Sequence, residues 1–138
     1  MQFDDNSAEN SFLPLEELKA ATIVHGVLIK EVNFRTGANG RISDLSQAGP
    51  YNALTLRGTI YYGTEARAAQ IRFTPDPEQI PTPIYDAAAK KIILYLPESH
   101  LQTIAELMRT SKHILCIYWE SSAADTSQAE IYTYDTLP

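Results

Sequence analysis

Cysteine is almost missing from this 138-residue sequence, because Cys116 is the only one. A single cysteine cannot form a disulfide within the chain, which excludes the disulfide-stapled scaffolds of small secreted domains. Cys116 lies inside the apolar run His113 to Trp119, where a free cysteine usually behaves as a small core residue. We therefore expect a buried thiol without a catalytic role.

Long apolar runs and a secretion signal are also missing. The longest strongly apolar runs have about seven residues, which suits a strand, whereas a membrane-spanning helix needs about 18. The first ten residues contain Asp4, Asp5 and Glu9, and they have neither the basic nor the apolar region of a signal peptide. Together with the single cysteine, these absences predict a cytoplasmic protein that does not enter a membrane.

Positive charge is scarce, since 11 Lys and Arg against 17 Asp and Glu give a net charge of −6. Such a protein repels polyanions on average, so specific binding of nucleic acid would need a local basic stripe. The charge is unevenly distributed: both ends are acidic, whereas residues 21–97 carry more bases than acids. That middle section is therefore the place to expect basic surface.

Motifs for catalysis and metal binding are absent. His25, His100 and His113 lack the spacing of metal ligands, and no Cys-x-x-Cys, P-loop, Gly-x-Gly-x-x-Gly or Gly-x-Ser-x-Gly pattern occurs. We expect no catalytic residue, no metal site and no cofactor. The sequence does not decide whether the three histidines and Cys116 converge in one pocket.

The composition is that of a globular domain, with 44% apolar and 20% charged residues. Residues 1–11 are polar and acidic and predict a flexible tail. Residues 12–138 are expected to form a single domain, which begins with a short helix over 12–21.

Strand patterns dominate this domain. Residues 53–62 and 69–74 alternate between apolar and polar side chains, which predicts an antiparallel hairpin with one wet face. Four prolines make 75–83 an extended connector. A turn is expected at 36–40, where Asn-Gly occurs, and a loop at 47–52. Further strands are expected at 22–35, 84–86, 91–96, 113–120 and 129–135.

One amphipathic helix is expected at about 99–110, with Ser99 as its N-cap and Gln102 completing a capping box. The order of elements lacks the regular βαβ alternation of a parallel sheet. The sequence therefore predicts an α+β fold: a mainly antiparallel twisted sheet or a partly open β-barrel, with this helix over one opening or face.

Tyrosine is the most distinctive residue, and six of the eight tyrosines, all but Tyr51 and Tyr85, fall in predicted strands that are longer than three residues. The alternation in 53–62 puts Tyr62 with Leu54, Leu56 and Ile60, and it puts Tyr61 beside Arg57 on the wet face. Tyrosine and arginine together are typical of recognition surfaces, although cross-strand aromatic pairs can also simply stabilise a sheet. The candidate binding residues are Arg57, Tyr61, Arg72, Tyr132 and Tyr134.

Three functions are compatible with these patterns. The first, which we favour, is a non-catalytic domain that binds a protein partner or a second copy of itself, through the Tyr/Arg sheet face or the edge of strand 129–135. The second is a small barrel that binds single-stranded nucleic acid through Arg57, Arg72, Tyr61 and Tyr62. The third is an enzyme with a pocket under the helix at 99–110.

Overall fold

The computed structural model describes residues 13–41, 44–75 and 80–134, with the side chains of residues 38–51 outside that description. The predicted tail at 1–11 lies outside the described residues, as does part of the proline-rich connector, 76–79. Within the described ranges, no helix is both long and apolar enough to cross a bilayer.

The described residues form two helices and seven strands. Helix α1 spans Leu15–Ala20 and helix α2 spans Leu101–Thr110, which a single 3-10 turn, Glu98–His100, precedes. The strands are β1 (Ile23–Arg41), β2 (Asp44–Tyr62), β3 (Ala68–Thr74), β4 (Ile84–Asp86), β5 (Lys91–Pro97), β6 (His113–Ser121) and β7 (Thr126–Tyr134).

All seven strands belong to one open sheet in the order β4-β5-β3-β2-β1-β6-β7. Every neighbouring pair is antiparallel except β3 and β5, which run parallel. The predicted fold class is confirmed at this level: the protein is a mixed α+β fold with a mostly antiparallel sheet, one main helix and a short N-terminal helix. The predicted hairpin of 53–62 with 69–74 is the β2–β3 pair.

Each helix packs on a different face of the sheet. On the face that α2 covers, Met108 joins the larger core, which also contains Val27, Leu56, Ile71 and Ile92. On the face that α1 covers, Leu15 and Leu18 pack on residues of β6, chiefly Leu115, Ile117 and Trp119. We call these the α2 face and the α1 face. β6 contributes to both cores because its side chains alternate between them and most are buried.

Irregularities in the β1–β2 ladder change which side chains share a face. A register shift between Gly26 and Val27 gives β2 one extra residue, so that Tyr62 joins Tyr61 on the α1 face. The expectation that Tyr62 lies with Leu54 and Leu56 is therefore wrong. The cause is the bulge, which interrupts the period of two that the sequence pattern assumes.

Three local predictions are also corrected. The turn expected at 36–40 and the loop at 47–52 lie in strand, because β1 and β2 pair as far as Arg41 and Asp44. Long cross-strand pairing here overrides the local preference of Asn-Gly for a turn. Ser99 makes no capping hydrogen bond, because it lies inside the 3-10 turn that leads into α2.

Two contacts join elements that are far apart in the sheet order. The hydroxyl of Ser127 on β7 donates to the carbonyl oxygen of Pro83, just before β4, at 2.8 Å. The ring of His25 on β1 stacks on that of Tyr85 on β4, with centroids 3.8 Å apart. β2, β3 and β5 lie between β1 and β4 in the sheet.

Candidate binding face

Strand alternation places all five candidate residues on the α1 face. Arg57 and Tyr61 lie on β2, Arg72 lies on β3, and Tyr132 and Tyr134 lie on β7. Helix α1 divides this face into two parts. The covered half holds the aromatic side chains that pack with α1, and the open half is the polar surface across β1, β2, β3 and β5.

The covered half is an aromatic cluster around Trp119, whose side chain is 3% exposed. Tyr61 and Tyr62 meet edge to face, with ring centroids 4.8 Å apart. Burial raises the pKa of Tyr62 to about 12, and the neighbouring Tyr61 adds to the rise. Such contacts are typical of side chains that pack a helix on a sheet.

The two tyrosines of β7 belong to the same cluster. The hydroxyl of Tyr132 donates to a carboxylate oxygen of Glu130, and burial is the main cause of the raised pKa of Tyr132. The ring of Tyr134 stacks on that of His113 with centroids 5.5 Å apart. Burial raises the pKa of Tyr134 to about 12. Both side chains are half-buried. Each is therefore less accessible than we expected for a residue of a recognition surface.

The open half contains a groove of about 530 Å³. Its walls come from four strands and from the turn before β5, because residues two apart on each strand point to the same side. Three cations line it, and amides and a hydroxyl lie between them. The lining residues are Asn33, Arg35, Thr55, Arg57, Ala68, Gln70, Ala89 and Lys91.

Arg72 extends this basic surface along β3 and is held in a fixed position. Its Nε donates to Oε1 of Gln70 at 2.8 Å, and its Nη1 donates to the hydroxyl of Tyr95 at 3.2 Å. The guanidinium also lies 5.9 Å from the centroid of the Tyr95 ring. Gln70 is 7% exposed, so its amide is itself fixed by packing. A guanidinium anchored in this way loses little freedom when it binds an anion.

Two carboxylates flank the open half without forming ion pairs with its cations. Glu31 is opposite Arg57 in the ladder, but its carboxylate accepts a hydrogen bond from Asn33 at 3.1 Å. Asp86 is opposite Lys91, and its carboxylate accepts the backbone N–H of Ala89 at 3.1 Å. Neither Arg57 nor Lys91 forms an ion pair with any described residue.

Comparison with protein-family models, with curated proteins and with solved structures finds no match. The kind of ligand that this face binds must therefore be inferred from its side chains. Four cations on one side of a sheet, one of them fixed by an amide and a phenol, suit a ligand with several negative charges.

Sequence reasoning missed part of this face. It identified Arg57 and Arg72, but it did not connect them with Gln70, Lys91 and Tyr95. Lys91 and Tyr95 reach the face through the parallel pairing of β5 with β3, in which Arg72 is opposite Tyr95. No local sequence pattern predicts this pairing, because a crossover connection separates the two strands along the chain.

The other candidate groups do not assemble into one pocket. Cys116 is fully buried in the larger core, and burial raises the pKa of its thiol to about 12. His100 is exposed in the 3-10 turn, while His113 stacks on Tyr134 and His25 on Tyr85. Among the residues that the structure describes, no group of three or more His, Cys, Asp or Glu is placed to hold a metal ion.

A second cavity lies beside α2, where the sequence suggested an enzyme pocket. It has a volume of about 510 Å³, and its lining is formed by Phe34, Glu98, Ser99, Leu101, Gln102 and Ala105. Among the described residues of that lining, Glu98 is the one titratable side chain, and it accepts a hydrogen bond from Asn52 at 3.3 Å. These described residues do not include a general acid and base pair, or a nucleophile with its base.

Proposed function

We propose that this protein is a non-catalytic binding domain that holds an acidic segment of another protein on the open half of its α1 face. The observation that carries the proposal is the groove in which Arg35, Arg57 and Lys91 converge beside the anchored Arg72. These cations lie together in a chain whose net charge is −6, so the local charge is opposite to the average. A basic patch of this kind steers an acidic partner toward the groove and contributes to the specificity of binding.

A protein partner is favoured over a nucleic acid by the arrangement of aromatic side chains. Sequence-tolerant binding of single strands uses exposed rings on which bases stack. Tyr61 and Tyr62, the rings expected to stack, pack in the covered half with α1, and the ring of Tyr95 is in contact with Arg72. The open half thus offers charge and hydrogen bonds more than stacking surfaces.

We also infer that the sheet is curled into a partly open barrel, with the α1 face outside. The contacts of Ser127 with Pro83 and of His25 with Tyr85 support this, because they join strands from distant positions in the sheet order. On a curled sheet the outer face is convex, so a groove that crosses four strands is accessible to an extended segment.

The predicted cytoplasmic location and self-association are parts of the same proposal. A lone thiol in the core, without a disulfide partner, supports a reducing compartment.

Self-association through the edge strand β7 predicts a mass of twice 15.4 kDa in light scattering at micromolar concentration.

Fluorescence anisotropy with labelled probes tests the binding function. The probes are a short peptide rich in Asp and Glu, a peptide of equal length rich in Lys, and a single-stranded oligonucleotide. We expect saturable binding of the acidic peptide, weakening as salt rises from about 50 to about 200 mM, and no binding of the basic peptide. Tighter binding of the oligonucleotide than of the acidic peptide would favour the nucleic-acid alternative, and failure of both anionic probes would refute the proposal.

A further inference from the structure

The α2 face holds a second feature that the binding groove does not use: the junction of β1, β6 and the edge strand β4. His25 is opposite Tyr118 in the β1–β6 ladder, and the ring of Tyr85 on β4 stacks on His25 at an interplanar angle of 18°. We call His25, Tyr85 and Tyr118 the aromatic junction. With the Ser127–Pro83 hydrogen bond, it links β4 to strands other than its ladder partner β5.

β4 depends on these contacts because it is short. It has three residues and pairs only with β5 among the described strands. Ile84 is 47% exposed, so little of β4 apart from Tyr85 is buried. Beside the junction lies a cleft of about 520 Å³ between Thr82–Ile84 and the β6–β7 turn. An edge strand with so few contacts belongs to the least stable part of a fold.

His25 occupies a site suited to a neutral ring. Its Nδ1 is buried and makes no hydrogen bond with any described residue. Gly63, with φ of +82°, lies beside this atom, and a Cβ at that position would be 3.3 Å from it. Protonation would place a positive charge and a buried N–H donor at an atom that has no hydrogen-bond partner among the described residues, which is unfavourable.

Several charged and titratable groups face the ring. Glu65, after β2, and Glu120, on β6, act on His25 through their charges, and burial opposes them. Burial lowers the pKa of His25 by more than these two carboxylates raise it. Burial, followed by the nearby Glu65 and Asp86, raises the pKa of Tyr85 to about 12. Burial also raises the pKa of Tyr118, whose hydroxyl donates to Glu120 at 2.6 Å. Both phenols therefore stay neutral wherever His25 titrates.

We propose that the aromatic junction is a pH-sensitive latch: neutral His25 holds β4 against β1 and β6, and its protonation releases β4 and widens the cleft beside it. The sign follows from the proton affinities of the two states. Above the ordinary histidine pKa of about 6.5, neither state is protonated and the latch contributes fully. As the pH falls below that value, the released state binds the proton more strongly, so release becomes progressively more favourable.

Hydrogen–deuterium exchange tests the latch between about pH 8 and about pH 5, where most Glu and Asp side chains remain ionised. After correction for intrinsic exchange rates, we expect the amides of β4 to exchange several-fold faster at the lower pH, with little change in β2 or β3. His25→Phe preserves a ring for stacking and cannot be protonated. In that variant, the exchange of β4 should be slow at both pH values.

His113→Phe is the matched control, because His113 also stacks on a tyrosine but lies away from β4. It should keep the acceleration that the unaltered protein shows. Should His25→Phe fail to fold, an NMR titration of the unaltered protein decides: the His25 ring signals and the Tyr85 amide must share one midpoint below about 6.5.

Equal exchange of β4 at both pH values in the unaltered protein would overturn the latch, and so would an acceleration that persists in His25→Phe. The latch lies on the α2 face and the binding groove on the α1 face. A failure of the latch in the exchange experiment is therefore distinguishable from a failure of peptide binding in the groove.

Discussion

The two halves of the α1 face share strands β1 and β2 but have different chemistry. In the covered half, Trp119 and the tyrosines pack in the same cluster as α1, and the Tyr132 hydroxyl donates to Glu130. In the open half, cations on β1, β2, β3 and β5 surround a groove, and Arg57 and Lys91 among them form no ion pair with any described residue. A short helix of six residues makes this difference, because it covers one part of the face and leaves the other.

The comparison teaches that strand alternation assigns a side chain to a face but does not decide whether that face is accessible. Tyr61 and Arg57 are four residues apart on β2 and share a face, yet Tyr61 packs with α1 while Arg57 is exposed. We therefore expect mutations in the covered half to reduce stability and those in the open half to reduce binding.

The largest effect is expected from Trp119→Ala. Trp119 is almost fully buried under α1, so the truncation should lower the free energy of unfolding by about 3–5 kcal/mol. Urea denaturation followed by circular dichroism measures this loss. Arg57→Ala is the control from the open half, and it should change stability by less than about 0.5 kcal/mol. Similar losses in both variants would contradict the division of the face.

The next effect is on binding. Neutralising two cations of the groove with Arg57→Gln and Lys91→Gln should weaken binding of the acidic peptide by about tenfold, equivalent to about 1.4 kcal/mol. Arg109→Gln with Lys112→Gln makes the same change in net charge outside the groove, so it controls for long-range attraction. Anisotropy titrations of both double variants give the answer, and an equal weakening would mean that net charge alone attracts the peptide.

A smaller effect is expected from Tyr132→Phe, which removes the hydroxyl that donates to Glu130 but keeps the ring. We expect a loss of about 1 kcal/mol in stability, typical of one hydrogen bond, and an unchanged affinity for the acidic peptide. Thermal melts and the same titration check both parts. A clear loss of affinity would return Tyr132 to the binding surface that the sequence predicted.

The smallest effect is expected from Arg72→Lys. A lysine keeps the charge but cannot reproduce the two donations to Gln70 and Tyr95, so the cation is no longer held in place. Affinity for the acidic peptide should fall about two- to threefold, with stability unchanged within about 0.5 kcal/mol. An affinity equal to that of the unaltered protein would show that anchoring of Arg72 is irrelevant to binding.

The sequence predicted the fold class, the β2–β3 hairpin and most strand positions, because these depend on local alternation and on proline. It predicted β4 from three residues, Ile84 to Asp86, between the extended proline-rich connector and a turn. It missed the length of β1 and β2 and the position of Tyr62, because ladder register and bulges depend on the partner strand.

The candidate site was predicted in part for similar reasons. Arg57 and Arg72 were found because each lies on the polar side of an alternating run. Lys91 and Tyr95 were not, because their place beside Arg72 depends on the parallel β3–β5 pairing, which connects distant segments. The aromatic junction was also hidden, since His25 and Tyr85 are 60 positions apart in the sequence and meet only in the tertiary structure.

The most direct test of the central claim is an NMR titration of the labelled protein with the acidic peptide. The account predicts that backbone amide shifts concentrate in the open half, at 33–35 on β1, 55–57 on β2, 70–72 on β3 and 91–95 on β5, while the amides around Trp119 and Tyr132 stay unchanged. Shifts centred on the covered half, or spread evenly over the whole surface, would contradict it.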